Sequence, residues 1–314
     1  MMNQSNRELV TQQVNKFYSL LPFNLNQTAQ QGCETIQRRN QIKDAYPYLD
    51  SILKATKNAK ILDVGCGAGW FVNTIAYHYA LDIVGIDACE SAINRASEVS
   101  KQLSLKTRVR YYCVDLFNIN SIRLNDTNKF YLVNTLGVLH HTYDCRQALL
   151  SILNLVEDGG FIHIGLYHKY GRRPFLELFQ KYREEWEASS SESRRREIEE
   201  QAFLAYRELN FPTTEETLLR SWFRDQVLHP HESQHTFQEV YYWLTECGFQ
   251  CVTTSINQFQ RVRAWEGLFN EEKKMYDLSY KRNYEEKSYF PGFFVVLAQK
   301  KPGKENDFGP YLKE

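Results

Sequence analysis

An α/β fold is what this 314-residue sequence predicts: a mostly parallel sheet flanked by helices, with a long helical insertion late in the chain. Three observations predict it. Short apolar runs rich in β-branched residues alternate with segments long enough for helices, which is the pattern of βαβ units. A glycine-rich turn, GCGAG at 65–69, follows the first of these runs. After Tyr170 the alternation gives way to a charged, glycine-poor stretch with helical periodicity.

Taken in order, residues 1–58 are expected as a helical cap, because in VNKFYSLLPFN (14–24) Val14, Phe17, Leu20 and Leu21 make an apolar stripe. Residues 59–171 hold five strand candidates: AKILDVG (59–65), LDIVGID (81–87), RVRYYCVD (108–115), KFYLVNTLG (129–137) and GGFIHIGLYH (159–168). The helix CRQALLSILNLVEDGG stops at its glycines, and Asp144 is placed to cap its start. Residues 172–232 form the helical insertion, with ASSSES (188–193) as a turn and Arg194 to Arg196 on a solvated face. Residues 233–302 complete the sheet through helix TFQEVYYWLTECGF (236–249), strand FQCVTTSI (249–256), an interruption over 257–289, and strand GFFVVLAQK (292–300). These last two strands suit an antiparallel pair at one edge, and the tail 303–314 is expected to be loosely held.

Composition narrows the function. Thirty-eight basic and thirty-eight acidic residues cancel, so no overall field recruits nucleic acid or an anionic membrane. No run approaches the roughly 18 apolar residues of a bilayer span. Seven cysteines without paired metal spacing, behind a polar rather than signal-like start, are expected as reduced thiols in a cytoplasmic protein. Aromatic content is 14%, which suits an aromatic-lined pocket as well as ordinary packing.

The strand–turn–helix at ILDVGCGAGWF places Asp63, Gly65, Cys66, Gly67 and Gly69 where a ligand can approach the main chain. The spacing is GxGxG followed by Trp70, not the dinucleotide GxGxxG, which favours a cofactor without a pyrophosphate. Asp87 ends the second strand, where a carboxylate can accept from both hydroxyls of a ribose. Asp115 ends the third, within reach of an adenine amino group, with Leu116 offering a backbone donor.

On DVGCGAG (63–69), GIDACESAI (85–93), Asp115, LGVLHHTYD (136–144) and EDGG before GFIHIGLY, the chain resembles the class I S-adenosylmethionine-dependent methyltransferases. The resemblance implies a Rossmann-like seven-stranded sheet of order 3-2-1-4-5-7-6 with the last strand antiparallel. It implies S-adenosyl-L-methionine as cofactor and S-adenosyl-L-homocysteine as product. Turn 65–69 would meet the methionyl part through main-chain donors and carbonyls, Asp63 its cationic groups, Asp87 and Ala88 the ribose, and Asp115 with Leu116 the adenine. Tyr18 on the N-terminal helix, Asn134, Leu136 and His140 are further cofactor contacts in this reading.

Methyl transfer is an in-line displacement, so the protein must chiefly position the acceptor and exclude water. The fourth strand ends VNTLG and lacks the proline-proline-aromatic turn used on base amino groups, which disfavours that chemistry. His141, Tyr167, His168 and His229 are the catalytic candidates, and Arg172 or Arg173 could bind an anion. Of His140 and His141, one is expected to face the sulfonium region and the other to pack or to cap helix 144–156. No metal is expected there or at Asp225, His229, His231, Glu232 and His235, whose HPHESQH spacing fits no zinc pattern; that segment is read as a loop, with Asp225 or His229 able to reach the acceptor. The expected activity is methylation of an O, N or C nucleophile on a small molecule. A peptide or RNA acceptor and a catalytically silent cofactor-binding protein stay open, as does a homodimer through the insertion.

Overall fold

The computed structural model describes residues 4–20, 23, 28–105, 108–124, 127–211, 213, 215–262 and 264–301. The expected tail, 303–314, and Leu21 of the apolar stripe lie outside them. Four helices precede the sheet: α1 (Gln4–Leu20), α2 (Ala29–Arg38), α3 (Gln41–Ala45) and α4 (Pro47–Ala55). Then β1 (Lys60–Val64), α5 (Trp70–His78), β2 (Asp82–Asp87), α6 (Glu90–Gln102), β3 (Val109–Cys113), β4 (Phe130–Leu136), α7 (Cys145–Leu153) and β5 (Val156–Tyr167) alternate. The insertion is α8 (Arg172–Ala188), α9 (Glu192–Arg207) and α10 (Glu216–Val227), followed by α11 (Phe237–Glu246), β6 (Phe249–Thr254), α12 (Glu266–Glu271), α13 (Met275–Tyr280) and β7 (Phe293–Lys300).

The seven strands form one sheet of order β3-β2-β1-β4-β5-β7-β6. β1 to β5 pair in parallel, and β7 runs antiparallel between β5 and β6. Parallel strands need helical crossovers, which bury both faces, so each face carries its own apolar layer. One layer joins Val64, Phe130, Leu149 and Phe237; the other joins Ile42, Ile52, Phe71 and Leu132. The insertion packs a third cluster around Phe175, Phe179, Phe203, Tyr206 and Phe223. The turn expected at 188–193 is the α8–α9 connection, where the Ser191 hydroxyl caps α9 by accepting from Arg194 N–H. The interruption at 257–289 is itself largely helical, which the short, weakly periodic stretches there did not reveal.

All seven cysteines are free thiols. Among the described residues no helix is long and apolar enough to cross a membrane.

Candidate functional site

Three positive-φ glycines turn the chain from β1 into α5, and two do so for different reasons. A Cβ on Gly69 would stand 2.6 Å from the Tyr111 hydroxyl and 2.7 Å from Ala96 Cβ, so this glycine serves packing. A Cβ on Gly67 would meet only the Phe23 carbonyl oxygen, 3.7 Å away, because Gly67 faces a cavity. That cavity is lined by Gly65, Cys66, Gly67, Asp87, Ala88, Asp115 and Leu116 on one side, and by Leu136, Gly137, Val138 and His141 at one end. Thr11, Val14, Asn15 and Tyr18, one face of α1 at helical spacing, roof it.

Asp87 reaches back across the turn. Its Oδ2 accepts from Gly67 N–H at 2.9 Å and its Oδ1 from Cys89 N–H at 2.8 Å, leaving a lone pair on each oxygen. Burial raises its pKa, and these two donors oppose the rise. The Gly65 and Cys66 N–H groups both donate to the Ile86 carbonyl, and Gly69 N–H to that of Cys66. The donors expected at Gly65, Cys66, Gly67 and Gly69 for a carboxylate are therefore taken inside the protein, and the turn suits a cationic ligand group better than an anionic one. Asp115 caps the short turn after β3 by accepting Phe117 N–H at 2.8 Å, so only part of its carboxylate is left for a ligand.

Asp63 lies beneath this turn rather than on the cavity wall, buried and linked to a hydrogen-bonded chain across the sheet. Asn134 Nδ2 donates to Asp63 Oδ1 at 2.7 Å, which fixes the Asn134 Oδ1 as the acceptor for His163 Nδ1–H at 2.7 Å. His163 Nε2 must then accept from the Tyr48 hydroxyl at 2.8 Å. Every donor in the chain points toward the carboxylate. Burial pushes Asp63 up to about 7 and His163 down to about 3, so the imidazole is neutral, as this tautomer requires. A buried carboxylate with one partner beside a ligand-sized cavity fits a cationic cofactor group.

At the far end the α1 roof meets the insertion. Tyr18 donates to Asp225 Oδ1 at 2.6 Å, and Tyr167 to Asp225 Oδ2 at 3.3 Å. His141 Nε2 stands 3.7 Å from Asp225 Oδ1, and the rings of His141 and His229 lie 3.7 Å apart. The His231 backbone holds both rings: its carbonyl accepts from His141 Nδ1, and its N–H donates to His229 Nδ1. With Nδ1 donating, the nitrogen His141 has left to accept is Nε2, and with Nδ1 accepting, the nitrogen on which His229 carries its hydrogen is Nε2. The ligand-capable atoms of His141, Asp225 and His229 lie within 4.8 Å of one another. Burial raises the Asp225 pKa and lowers that of His229.

Several expected contacts sit elsewhere. His140 is not on the cavity wall but packed behind it, its ring 4.2 Å from that of Tyr167. The pair lies on a short turn, Leu139–His141, and not on an extended strand, so both rings fall near one another, with centroids 4.2 Å apart. Asn134 touches Asp63, not the cavity. Tyr167 is wholly buried, under the Arg172 guanidinium at 3.7 Å. His168 is remote: its Nδ1 accepts Gly171 N–H and its Nε2–H donates to Glu272, whose Oε2 also accepts Phe237 N–H at the start of α11. Arg172 is not free for an anion, because it forms a bidentate pair with Glu232 and donates to the carbonyls of Gln226 and Pro291. Arg173 pairs with Glu177 on the surface. Residues missed in the sequence are Tyr48 and His163, because their role depends on tertiary contact and no local spacing signals it.

A family model described as a methyltransferase domain matches residues 55–246. Among curated proteins, an uncharacterized protein of Synechococcus is 24% identical over 170 residues, 54% of this chain and 40% of its own length. The ubiquinone biosynthesis O-methyltransferase of Coxiella burnetii is 30% identical over 104 residues, 33% of this chain and 42% of its own. The chain thus spans less than half the length of these curated relatives. Among solved structures, PKMT2 from Rickettsia typhi in complex with AdoHcy has the same fold, with a TM-score of 0.55 at 14% identity over 82% of this chain and 53% of that one.

Proposed function

We propose, from the premise that this chain belongs to the class I S-adenosylmethionine-dependent methyltransferase family, that it methylates a nucleophilic atom of a small molecule and releases S-adenosyl-L-homocysteine. One observation carries the small-molecule reading. The cavity is roofed by α1, ends on the buried His141, and has no lysine or arginine among the described residues that line it. A peptide or RNA acceptor has less support, because Arg194 and Arg196 of the insertion are committed to ion pairs with glutamates.

When bound, the cofactor supplies an electrophilic methyl on a sulfonium. The protein's own residues do the rest. Asp87 offers two carboxylate lone pairs to a diol, and its contacts with Gly67 and Cys89 fix their direction. Asp63, which accepts from Asn134 Nδ2, is a buried carboxyl whose charged form a nearby cationic cofactor group would favour. Tyr18 and the α1 face exclude water. His141, at the end of the cavity, is the side chain placed to hold a proton from the acceptor.

The test has two parts. Calorimetry of the full chain with S-adenosyl-L-homocysteine should show binding that weakens at least about tenfold in Asp87→Ala, since two hydrogen bonds to a charged group are lost. Methyl-labelled cofactor should then label the low-molecular-weight fraction of a host metabolite extract. Binding unchanged in Asp87→Ala would overturn the cofactor assignment, label confined to macromolecules would overturn the acceptor class, and binding without any transfer would favour a silent binding protein.

A further inference from the structure

We infer that the buried cluster of His141, Asp225 and His229 is the acceptor end of the cavity, built for a planar acceptor whose reacting hydroxyl lies next to a second oxygen. This rests on the methyl-transfer reading above and names its substrate class.

The inference begins with unmet hydrogen-bonding groups. His141 Nε2 and His229 Nε2 are both shielded from solvent and have no hydrogen-bond partner. Buried polar atoms in native proteins are nearly always paired, so two such atoms in one cluster point to a missing ligand. The two are not alike. His141, whose Nδ1 already donates to the His231 carbonyl, turns its Nε2 toward Asp225 Oδ1 at 3.7 Å, beyond hydrogen-bond reach, so neither atom meets the other's need. His229 Nε2 carries a hydrogen with nothing to receive it. A hydroxyl proton satisfies the first pair, and an oxygen lone pair satisfies the second. Because the His141 and His229 rings lie against each other with centroids 3.7 Å apart, both must come from one small group, as oxygens on adjacent carbons do.

The surroundings select a flat molecule. The rings of Tyr18 and Phe17 lie 5.3 Å and 4.9 Å from that of His229, and Tyr167 closes the other side of His141 at 5.8 Å. Tyr18 and His141 also line the cofactor cavity, so the cluster is continuous with it.

The step balances. The acceptor oxygen forms its bond to the methyl carbon as the sulfur–carbon bond breaks with its electron pair remaining on sulfur, and the hydroxyl proton passes to His141 Nε2. The resulting imidazolium faces the Asp225 carboxylate, which Tyr18 and Tyr167 hold by their hydroxyls. Asp225 is thus a positioning residue. A metal ion is disfavoured by the same hydrogen bonds. Ligation by both Nε2 atoms would put a hydrogen on His229 Nδ1, directly against the His231 N–H that it now accepts.

The test uses the full-length protein saturated with S-adenosyl-L-homocysteine and three probes: catechol, phenol and 1,2-dimethoxybenzene. Calorimetry should give catechol at least about tenfold tighter binding than either of the others, because each of them leaves one buried group unmet. His229→Phe should reduce catechol to the affinity of phenol, and His141→Phe should abolish the preference, with folding checked by circular dichroism. Nitrogen NMR of the wild-type imidazoles should show the Nδ1–H tautomer at His141 and the Nε2–H tautomer at His229. Equal binding of the three probes, no binding of any, or an Nδ1–H tautomer at His229 would overturn the inference. So would stoichiometric Zn²⁺ uptake that both variants lose, which would make this a metal site. Failure of the wild type to bind S-adenosyl-L-homocysteine would instead remove the methyl-transfer reading on which the inference stands.

Discussion

A buried carboxylate whose side-chain hydrogen bond comes from Asn134, as Asp63 is, works against the fold while no cation faces it. With its pKa pushed up to about 7 by burial, the folded chain keeps this proton toward neutrality, while the unfolded chain releases it near the ordinary 3.8. Between those values the unfolded state binds fewer protons, so stability of the cofactor-free protein falls as pH rises from about 4 to about 7. Asp63→Asn removes the buried charge and keeps an acceptor for Asn134. It should therefore raise the stability of the cofactor-free protein at pH 8 by about 1–3 kcal/mol in urea unfolding, and weaken cofactor binding at least about tenfold in calorimetry. A loss of both would mean that Asp63 is only a structural acceptor. Gly67 gives the complementary case. Gly67→Ala costs about 1 kcal/mol for a side chain at positive φ, yet its methyl enters the cavity, so cofactor affinity should drop in a protein that still folds. Gly69→Ala, which collides with Tyr111 and Ala96, should lose folding stability as well. At this scale the sequence was legible where chemistry is local, as at Gly67, Asp87 and the Asp144 helix cap, which accepts Gln147 N–H. It was not legible where side chains meet through space: His140 and His141 are adjacent in sequence, but only tertiary packing assigns one to the cavity and the other to the interior.

Between elements, Arg172 and Tyr18 tie the insertion and α1 to the sheet. Arg172, at the start of α8, is fully buried; its charge is held by Glu232 against the opposing effect of burial, and Glu232 in turn stays below the usual carboxylate range. Removing one partner leaves the other charge stranded, so Arg172→Leu should destabilise the protein by about 3–5 kcal/mol in urea unfolding. Replacing both, with Arg172→Leu and Glu232→Leu, should recover part of that loss; no recovery would mean that packing on Tyr167, rather than charge pairing, is the larger contribution. Tyr18→Phe removes a donor to Asp225 while sparing the ring. It should accelerate amide exchange along α1 and cofactor dissociation, without changing exchange in β1 or β4. The sequence disclosed α1 as an apolar stripe and the insertion as helical periodicity. It could not disclose that they meet, because Tyr18 and Asp225 are joined only by a long-range hydrogen bond.

For the whole molecule, the alternation of apolar runs and helices made a mostly parallel α/β sheet legible, while the strand order followed from the family resemblance carried by the glycine turn and the acidic strand ends. Charge is the other whole-molecule property, and it decides between acceptor classes. The formal charges cancel, thirty-eight against thirty-eight, and the arginine-rich insertion does not escape that balance locally. Arg194 pairs with Glu185 and Glu197, Arg196 with Glu192, Arg220 with Glu200 and Glu216, and Arg224 with Glu199. Exposed pairs of this kind contribute little to stability, but they shape the surface potential, since each of these four arginines brings its own carboxylate. An RNA-binding protein gains affinity by releasing counterions from phosphates, with a steep salt dependence that grows with every unpaired basic contact. This surface offers no comparable cluster among the described residues. Filter binding of the full chain to a mixed-sequence single-stranded RNA should therefore give a dissociation constant weaker than about 10⁻⁴ M at 150 mM salt, and should not tighten tenfold on lowering the salt to 50 mM. Micromolar binding with a steep salt slope, lost in Arg194→Glu with Arg196→Glu, would place the acceptor on a polymer and move the methyl-transfer site from an enclosed pocket to a groove beside α9.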